Sequence, residues 1–299
     1  MTGDYRFRSI PGIFYFMFTL LLLSGCIAEN TDDCYTGIPL TVELPAGISP
    51  QAMKDISLYV FDDKDRLLDV FSISGMEPVT LNYPDIPMFH CVALCNTQDG
   101  TMSVNPPEKG GSCSDGFISL KPAEPTRAEQ GIFTSPTDLF YGELDIENNT
   151  TPARTERQVI AVSRMTASMN ITLRGLQRLT GTEDGNYSLV VRETSSRMNF
   201  DAMYGGTPAS YSPSVNSAAN KDFEVSMFRL FPTINVAGLT IEIYHKGTLL
   251  KSVHADGNGN PIVPVVGKTT NLLLNFEGSV NVEVEITSWG ETVVWKEYN

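Results

Sequence analysis

Ile56-Ser57-Leu58-Tyr59-Val60-Phe61 alternates larger apolar side chains with small or polar ones. Asp62-Asp63-Lys64-Asp65 interrupts the run with charge, and Leu67–Ile73 resumes it. A period of two on either side of a short polar turn is the signature of a β-hairpin. The stretch 239–253 (Leu-Thr-Ile-Glu-Ile-Tyr-His-Lys-Gly-Thr-Leu-Leu-Lys-Ser-Val) repeats the scheme of 56–70: strand, polar turn, Leu-Leu, strand. One such hairpin in each half of the chain fits two similar β-sandwich domains in tandem.

Working outward from these hairpins, strands dominate. In the first half Ile38–Leu44, Val79–Tyr83, Phe89–Leu94 and Leu139–Leu144 read as strands. In the second, Val159–Leu173, Tyr187–Arg192, Phe223–Phe231, Asn271–Phe276 and Val280–Ile286 do. Val280, Val282, Val284 and Ile286 face one way, and Asn281, Glu283, Glu285 and Thr287 the other. No stretch above about ten residues holds a helical period, so the expected class is mostly β. Two polar tracts interrupt the strands. Thr101–Thr137, in which 14 of 37 residues are Gly, Pro or Ser, is too long for an ordinary turn and reads as a surface excursion or an assembly loop. Thr194–Asp222 reads as a second long excursion. The polar Glu147–Thr155 stretch with Pro152 marks the expected boundary, dividing the chain into domains at 26–152 and 153–299.

Residues 1–25 form a separate leader. Arg6 and Arg8 precede an apolar run from Ile13 to Leu23, broken only by Thr19. Eleven residues are too few to cross a bilayer core, which takes about 20. The run is therefore the apolar region of a secretion signal. Leu23-Ser24-Gly25-Cys26 follows and resembles the bacterial lipobox, in which the Cys becomes the lipidated first residue of the mature protein. Cys26 is the predicted lipidation site, and Glu29, Asp32 and Asp33 behind it resemble a surface-export tag. The expected location is the outer membrane, as a surface-exposed lipoprotein.

Charge narrows the function. With 21 Lys and Arg against 35 Asp and Glu, the net charge is −14, so nothing here neutralises a run of phosphates and no nucleic acid is expected as partner. Of the cysteines beyond the leader, Cys34, Cys91, Cys95 and Cys113, an exported compartment allows three connectivities. On a strand, Cys91 and Cys95 share a face about 13 Å apart at ~3.3 Å per residue, too far to bridge.

Candidate chemistry mostly fails at the level of spacing. Gly267-Lys268-Thr269 resembles the tail of a phosphate-binding loop, but Ile262 stands where that loop needs its first Gly, and a strand follows instead of a helix. Asp256-Gly257-Asn258-Gly259-Asn260 has alternating oxygen ligands, yet position 267 is Gly where a calcium-binding helix-loop-helix needs Glu. Asp62, Asp63 and Asp65 read as a solvated turn. His90, His245 and His254 lie in or beside strands. No catalytic residue, metal site or cofactor is expected, and no enzyme.

Three further stretches carry a family resemblance: Phe89–Asn96, ending Leu94-Cys95-Asn96; Asp138-Leu139-Phe140-Tyr141-Gly142-Glu143; and Arg164-Met165-Thr166-Ala167-Ser168-Met169-Asn170-Ile171. Together with Cys26 and the 56–68 hairpin they resemble the fimbrillin-A-associated anchor proteins, the FimB-type minor fimbrial anchor lipoproteins. The resemblance implies two transthyretin-like β-sandwich domains and attachment to the outer membrane by lipid. It also implies fimbrial (pilin) subunits as partners and a role in holding the fimbria to the cell. An alternative is a surface lipoprotein that binds glycan or a host ligand, with Trp289 and Trp295 as the aromatic candidates. For strand contact, the expected element is the first strand, Ile38–Leu44, or the last, Val280–Ile286, because unpaired edges template further strands.

Overall fold

The computed structural model describes residues 37–74, 77–124, 131–148, 156–182, 184–218, 222–234, 236–278 and 280–295. The leader, Cys26 and Cys34 lie outside them. The first half carries β1 (Ile38–Glu43), β2 (Ile56–Phe61), β3 (Leu67–Ile73), β4 (Val79–Leu81), β5 (Met88–Cys95), β6 (Met102–Asn105), β7 (Phe117–Leu120) and β8 (Phe140–Glu147). Then β9 (Gln158–Ala161), β10 (Ser163–Arg164) and β11 (Ala167–Arg174) follow almost without a break, ahead of the short helix α1 (Leu176–Thr180). The second half continues with β12 (Tyr187–Thr194), β13 (Arg197–Asn199), β14 (Tyr204–Gly205), β15 (Ala209–Tyr211), β16 (Val215–Ser217) and β17 (Phe223–Leu230). It ends with β18 (Thr240–His245), β19 (Thr248–Val253), β20 (Lys268–Asn275) and β21 (Asn281–Ser288).

The fold is mostly β and built of sandwiches. In the first half the sheet β4-β1-β9 packs on β10-β8-β5-β2-β3, with Leu40, Val42, Leu58, Val60, Phe89 and Ile160 between them. In the second, β16-β17-β11-β20-β21 packs on β15-β12-β18-β19 over Met169, Ile171, Leu189, Ile241, Leu272 and Leu274.

The 56–73 hairpin forms as its sequence predicts, β2 pairing β3 from Ile56↔Ile73 to Phe61↔Leu67. Its turn is set by Asp62. The buried carboxylate accepts Lys64 N and Arg66 N at 2.9 Å each and the Arg66 guanidinium at 2.6 and 2.8 Å, while Asp65 takes a positive φ of 58°. An aspartate that ties its own turn this way needs no cation.

The two polar tracts are not loops. β6 and β7 lie in the first, β13 and β14 in the second, and together they make a fifth sheet ordered β14-β13-β7-β6. Its central register pairs Arg197↔Ser119, Met198↔Ile118 and Asn199↔Phe117. Strands of two to four residues are too short to stand alone, and the β13–β7 pairing between the halves joins the β6–β7 and β14–β13 pairs into one sheet.

That extra sheet explains why all six residues of β2 are buried. Ile56, Leu58 and Val60 enter the first core, whereas Tyr59 and Phe61 join the second, which also takes in Met102, Ile118, Leu120, Met198 and Phe200. Gly116 sits under the Phe200 ring, where a Cβ would come within 2.7 Å of ring carbons. The expected boundary at 152/153 falls outside the described residues. The strands just after it return to the first half: β9 runs parallel to β1, and β10 pairs β8.

Candidate partner-binding edge

The two strands singled out for strand contact sit in opposite situations. β1 is the middle strand of its sheet, with β4 antiparallel on one side and β9 parallel on the other. Both its edges are occupied, which removes it as an open edge. β21 is an outer strand of the second-half sandwich, paired along its full length with β20 from Lys268↔Ser288 to Asn275↔Asn281.

The free side of β21 can be read from one bond. Gly257 N donates to Val282 O at 2.8 Å from outside the sheet. Along an antiparallel pair the backbone groups of alternate residues point to opposite sides. Val284 and Ile286 therefore turn their N–H and C=O groups to the same open side as Val282. Side-chain exposure follows: Val282 is buried, Val284 half-buried and Ile286 is 50% exposed. Glu283 and Glu285 project from the outer face and are exposed. Among the described edge strands β21 is the longest, ahead of β3 and β19. Part of β3 is already covered, since Leu67 N donates to Gly111 O and Gly110 N donates to Leu67 O, each at 2.9 Å.

The chain beyond β21 is tied down, which fixes the edge in place. Asn271, fully buried in β20, donates to Thr287 Oγ1 at 2.9 Å, and its Oδ1 accepts Val293 N at 3.3 Å. Gly290 N donates to Thr269 Oγ1 at 2.9 Å. Trp289 stacks under the Arg164 guanidinium at 4.4 Å from its ring centre, with Arg229 at 5.9 Å. Arg164 in turn holds Asp138 at 2.9 Å. Burial pushes the Asp138 carboxyl up, and the Arg164 bonds recover only part of that shift. Trp289 is thus committed to the joint between the halves.

The remaining residues picked from the sequence have structural work. Cys91, Cys95 and Cys113 are buried free thiols, each raised to about 12, chiefly by burial. Cys91 and Cys95 share the core face of β5, as their spacing predicts. His90 meets Asp145 at 2.8 Å. His245 and Lys246 both bind Asp184, whose carboxyl those two bonds lower to about 2. Asp256 closes its own turn, accepting Asn258 N at 2.9 Å and Asn260 N at 2.8 Å. Lys268 and Thr269 begin β20. Among the described residues no three His, Cys, Asp or Glu side chains gather as a metal site. Sequence reasoning missed the Arg174–Asp222 pair, 3.2 Å apart and buried at the far end of β11. It also missed Phe200; only the short alternations Met102–Asn105 and Phe117–Leu120 hinted at the sheet that carries it.

Residues 31–295 match the family of fimbrillin-A associated anchor proteins Mfa1 and Mfa2. The chain belongs to this family. It is 26% identical to the major fimbrium anchoring subunit FimB of Porphyromonas gingivalis, over 95% of this chain and 98% of that one. Among solved structures, the fimbrial anchor protein Mfa2 from the same organism superposes with a TM-score of 0.56 at 14% identity, covering 84% of this chain and 98% of that one. A Bacteroides thetaiotaomicron structure reaches 0.64 at 13% identity, covering 85% and 99%. The family is structural, and the chain is a member of the fimbrial anchor class, not an enzyme. No helix among the described residues is long and apolar enough to cross a membrane.

Proposed function

We propose that the protein is a lipid-anchored minor fimbrial subunit, held in the outer membrane through Cys26, which attaches a fimbria by strand addition along β21. The open side of β21 carries this reading: one anchored backbone bond at Val282, then the unpaired groups of Val284 and Ile286. A partner strand laid there would gain main-chain hydrogen bonds, with Val284 and Ile286 as its side-chain contacts. The lipobox supports the other end. One acyl chain binds a membrane only marginally, whereas several chains hold firmly, at about 0.8 kcal/mol per buried CH₂. The division into two tandem units, with 153–299 as the fimbria-facing one, belongs to the same reading.

The test is fractionation of cells carrying Cys26→Ala. The expected result is release of the chain, and of fimbriae with it, into the soluble fraction. A variant that stays in the membrane fraction overturns the lipid reading.

A further inference from the structure

We infer that the parallel ladder between β1 and β9 is a tension clamp, built so that a pull between the membrane and the fimbria loads its hydrogen bonds in shear. The inference rests on the proposed attachment at Cys26, which lies eleven residues ahead of Gly37, the first described residue.

The argument follows from strand direction. Leu40, Thr41, Val42 and Glu43 run alongside Gln158, Val159, Ile160 and Ala161 in the same direction. A lipid at the N-terminus pulls β1 backwards, from its Ile38 end. The second-half sandwich pulls β9 forwards, because Ala161 leads through β10 into β11 within six residues. β11 is the middle strand of that sandwich, with β17 on one side and the parallel β20 on the other. One nearly continuous stretch, 158–174, therefore joins the anchored strand to the centre of the far sandwich. The two ends of the load act on neighbouring parallel strands in opposite directions along a common axis.

In that geometry every bond of the ladder must give way together. In an antiparallel pair pulled from one end, each bond takes the whole load in turn. Parallel pairing is slightly weaker per residue at equilibrium, so its use here is explained by the direction of load and not by stability alone. The ladder is also reinforced beyond its backbone. Val162 N extends it by donating to Glu43 O at 3.0 Å. Arg157 Nε donates to Thr41 Oγ1 at 3.0 Å, and that hydroxyl donates to Gln158 O at 3.4 Å, a side-chain stitch across the two strands. Thr41 is only 1% exposed although it faces away from the core, so its hydroxyl is shielded from competing water while the exposed Arg157 reaches it from outside. On its other side β1 is held by β4 through Ile38↔Leu81, Pro39↔Thr80 and Leu40↔Val79.

Resistance to force is set by the unfolding rate along the pulled coordinate, so it must be measured by pulling. The experiment uses the soluble chain, with an N-terminal handle replacing residues 1–26 and Cys34→Ser, so it is independent of lipidation. The second handle is placed either at Glu285→Cys, which loads β1 against β9 along their axis, or at Asp85→Cys. The latter lies just past Leu81, the partner of Ile38, and so peels β1 from β4 end-first. The expected result is a several-fold higher rupture force in the first geometry. Thr41→Val, or Arg157→Ala from the exposed side, lowers the force in the first geometry and leaves the second unchanged. Equal rupture forces in the two geometries overturn the inference. The membrane reading is decided separately, by release of Cys26→Ala, so the two can fail independently.

Discussion

The Phe200 ring, contributed by the second half of the chain, lies 4.7 Å centre to centre from the Tyr59 ring of the first, over a glycine that leaves room for it. Tyr141 Oη fastens the same residue by donating to Phe200 O at 2.8 Å. The extra sheet β14-β13-β7-β6 is anchored at this point. It ties strands of the first half of the chain to strands of the second.

Phe200→Ala should cost about 3–5 kcal/mol of stability, since a fully buried aromatic leaves a cavity the rigid neighbours cannot fill. Gly116→Ala should destabilise as well, by pushing the ring out of its seat. Chemical denaturation followed by near-ultraviolet circular dichroism measures both. Values under 1 kcal/mol for both would mean that the contact does not hold the halves together.

Val284→Pro tests the open edge. Its N–H points away from β20, so the ring removes a donor that only a partner uses and the fold stays intact. Glu285→Pro, one residue on and facing Asn271, breaks the internal ladder and should lower the melting temperature. Fimbrial attachment should be lost in Val284→Pro without loss of stability. Unchanged attachment would direct attention to a different edge.

Asp62 gives a pH signature. Burial alone would raise its carboxyl, but hydrogen bonds from the Arg66 side chain and from the backbone of Arg66 and Lys64 hold it below its ordinary value. A carboxyl lowered in the folded state stabilises above its unfolded pKa of about 3.9, and that stability is lost as the pH falls through the lower folded value. Asp62→Asn should cost about 1–3 kcal/mol at neutral pH and flatten the acid limb of the stability curve. Melting temperatures between pH 2 and pH 7 check it.

The mature N-terminus should be lipidated Cys26. Between Ile27 and Met53 there is no Lys or Arg, and the first Arg after Cys26 is Arg66. Arg66 is fixed inside the hairpin by Asp62, and Leu67 after it is bonded to both Gly110 and Gly111, so the peptide bond after Arg66 is not presented as an extended segment to proteolysis. Mass spectrometry of the surface-extracted protein decides this. A chain beginning after Arg66, or inside 27–53, would make it a polymerising subunit and not an anchor.

The thiols of Cys91, Cys95 and Cys113 should not react with a disulfide reagent at pH 8 in the folded chain carrying Cys34→Ser, because burial keeps them protonated up to about pH 12. All three should react in denaturant. Rapid reaction of the folded protein would contradict the packing of β5.

Alternation within single strands was enough to place the hairpin at 56–73, the last strand and the mostly-β class. Those features depend on side chains two residues apart, which the sequence displays directly. The face shared by Cys91 and Cys95 was legible for the same reason. Which strand is open was not. Ile38–Leu44 and Val280–Ile286 look alike as sequences, and only long-range pairing with Gln158–Ala161 and Val79–Leu81 closes the first. The extra sheet was equally hidden, because strands of two to four residues among Gly, Pro and Ser carry too little periodicity and are stabilised by partners about eighty positions away. Local chemistry determined the elements and their faces. Tertiary structure decided neighbours, edges and the parallel direction of β1 beside β9, because hydrogen bonding between distant strands depends on topology and leaves no local mark on either strand.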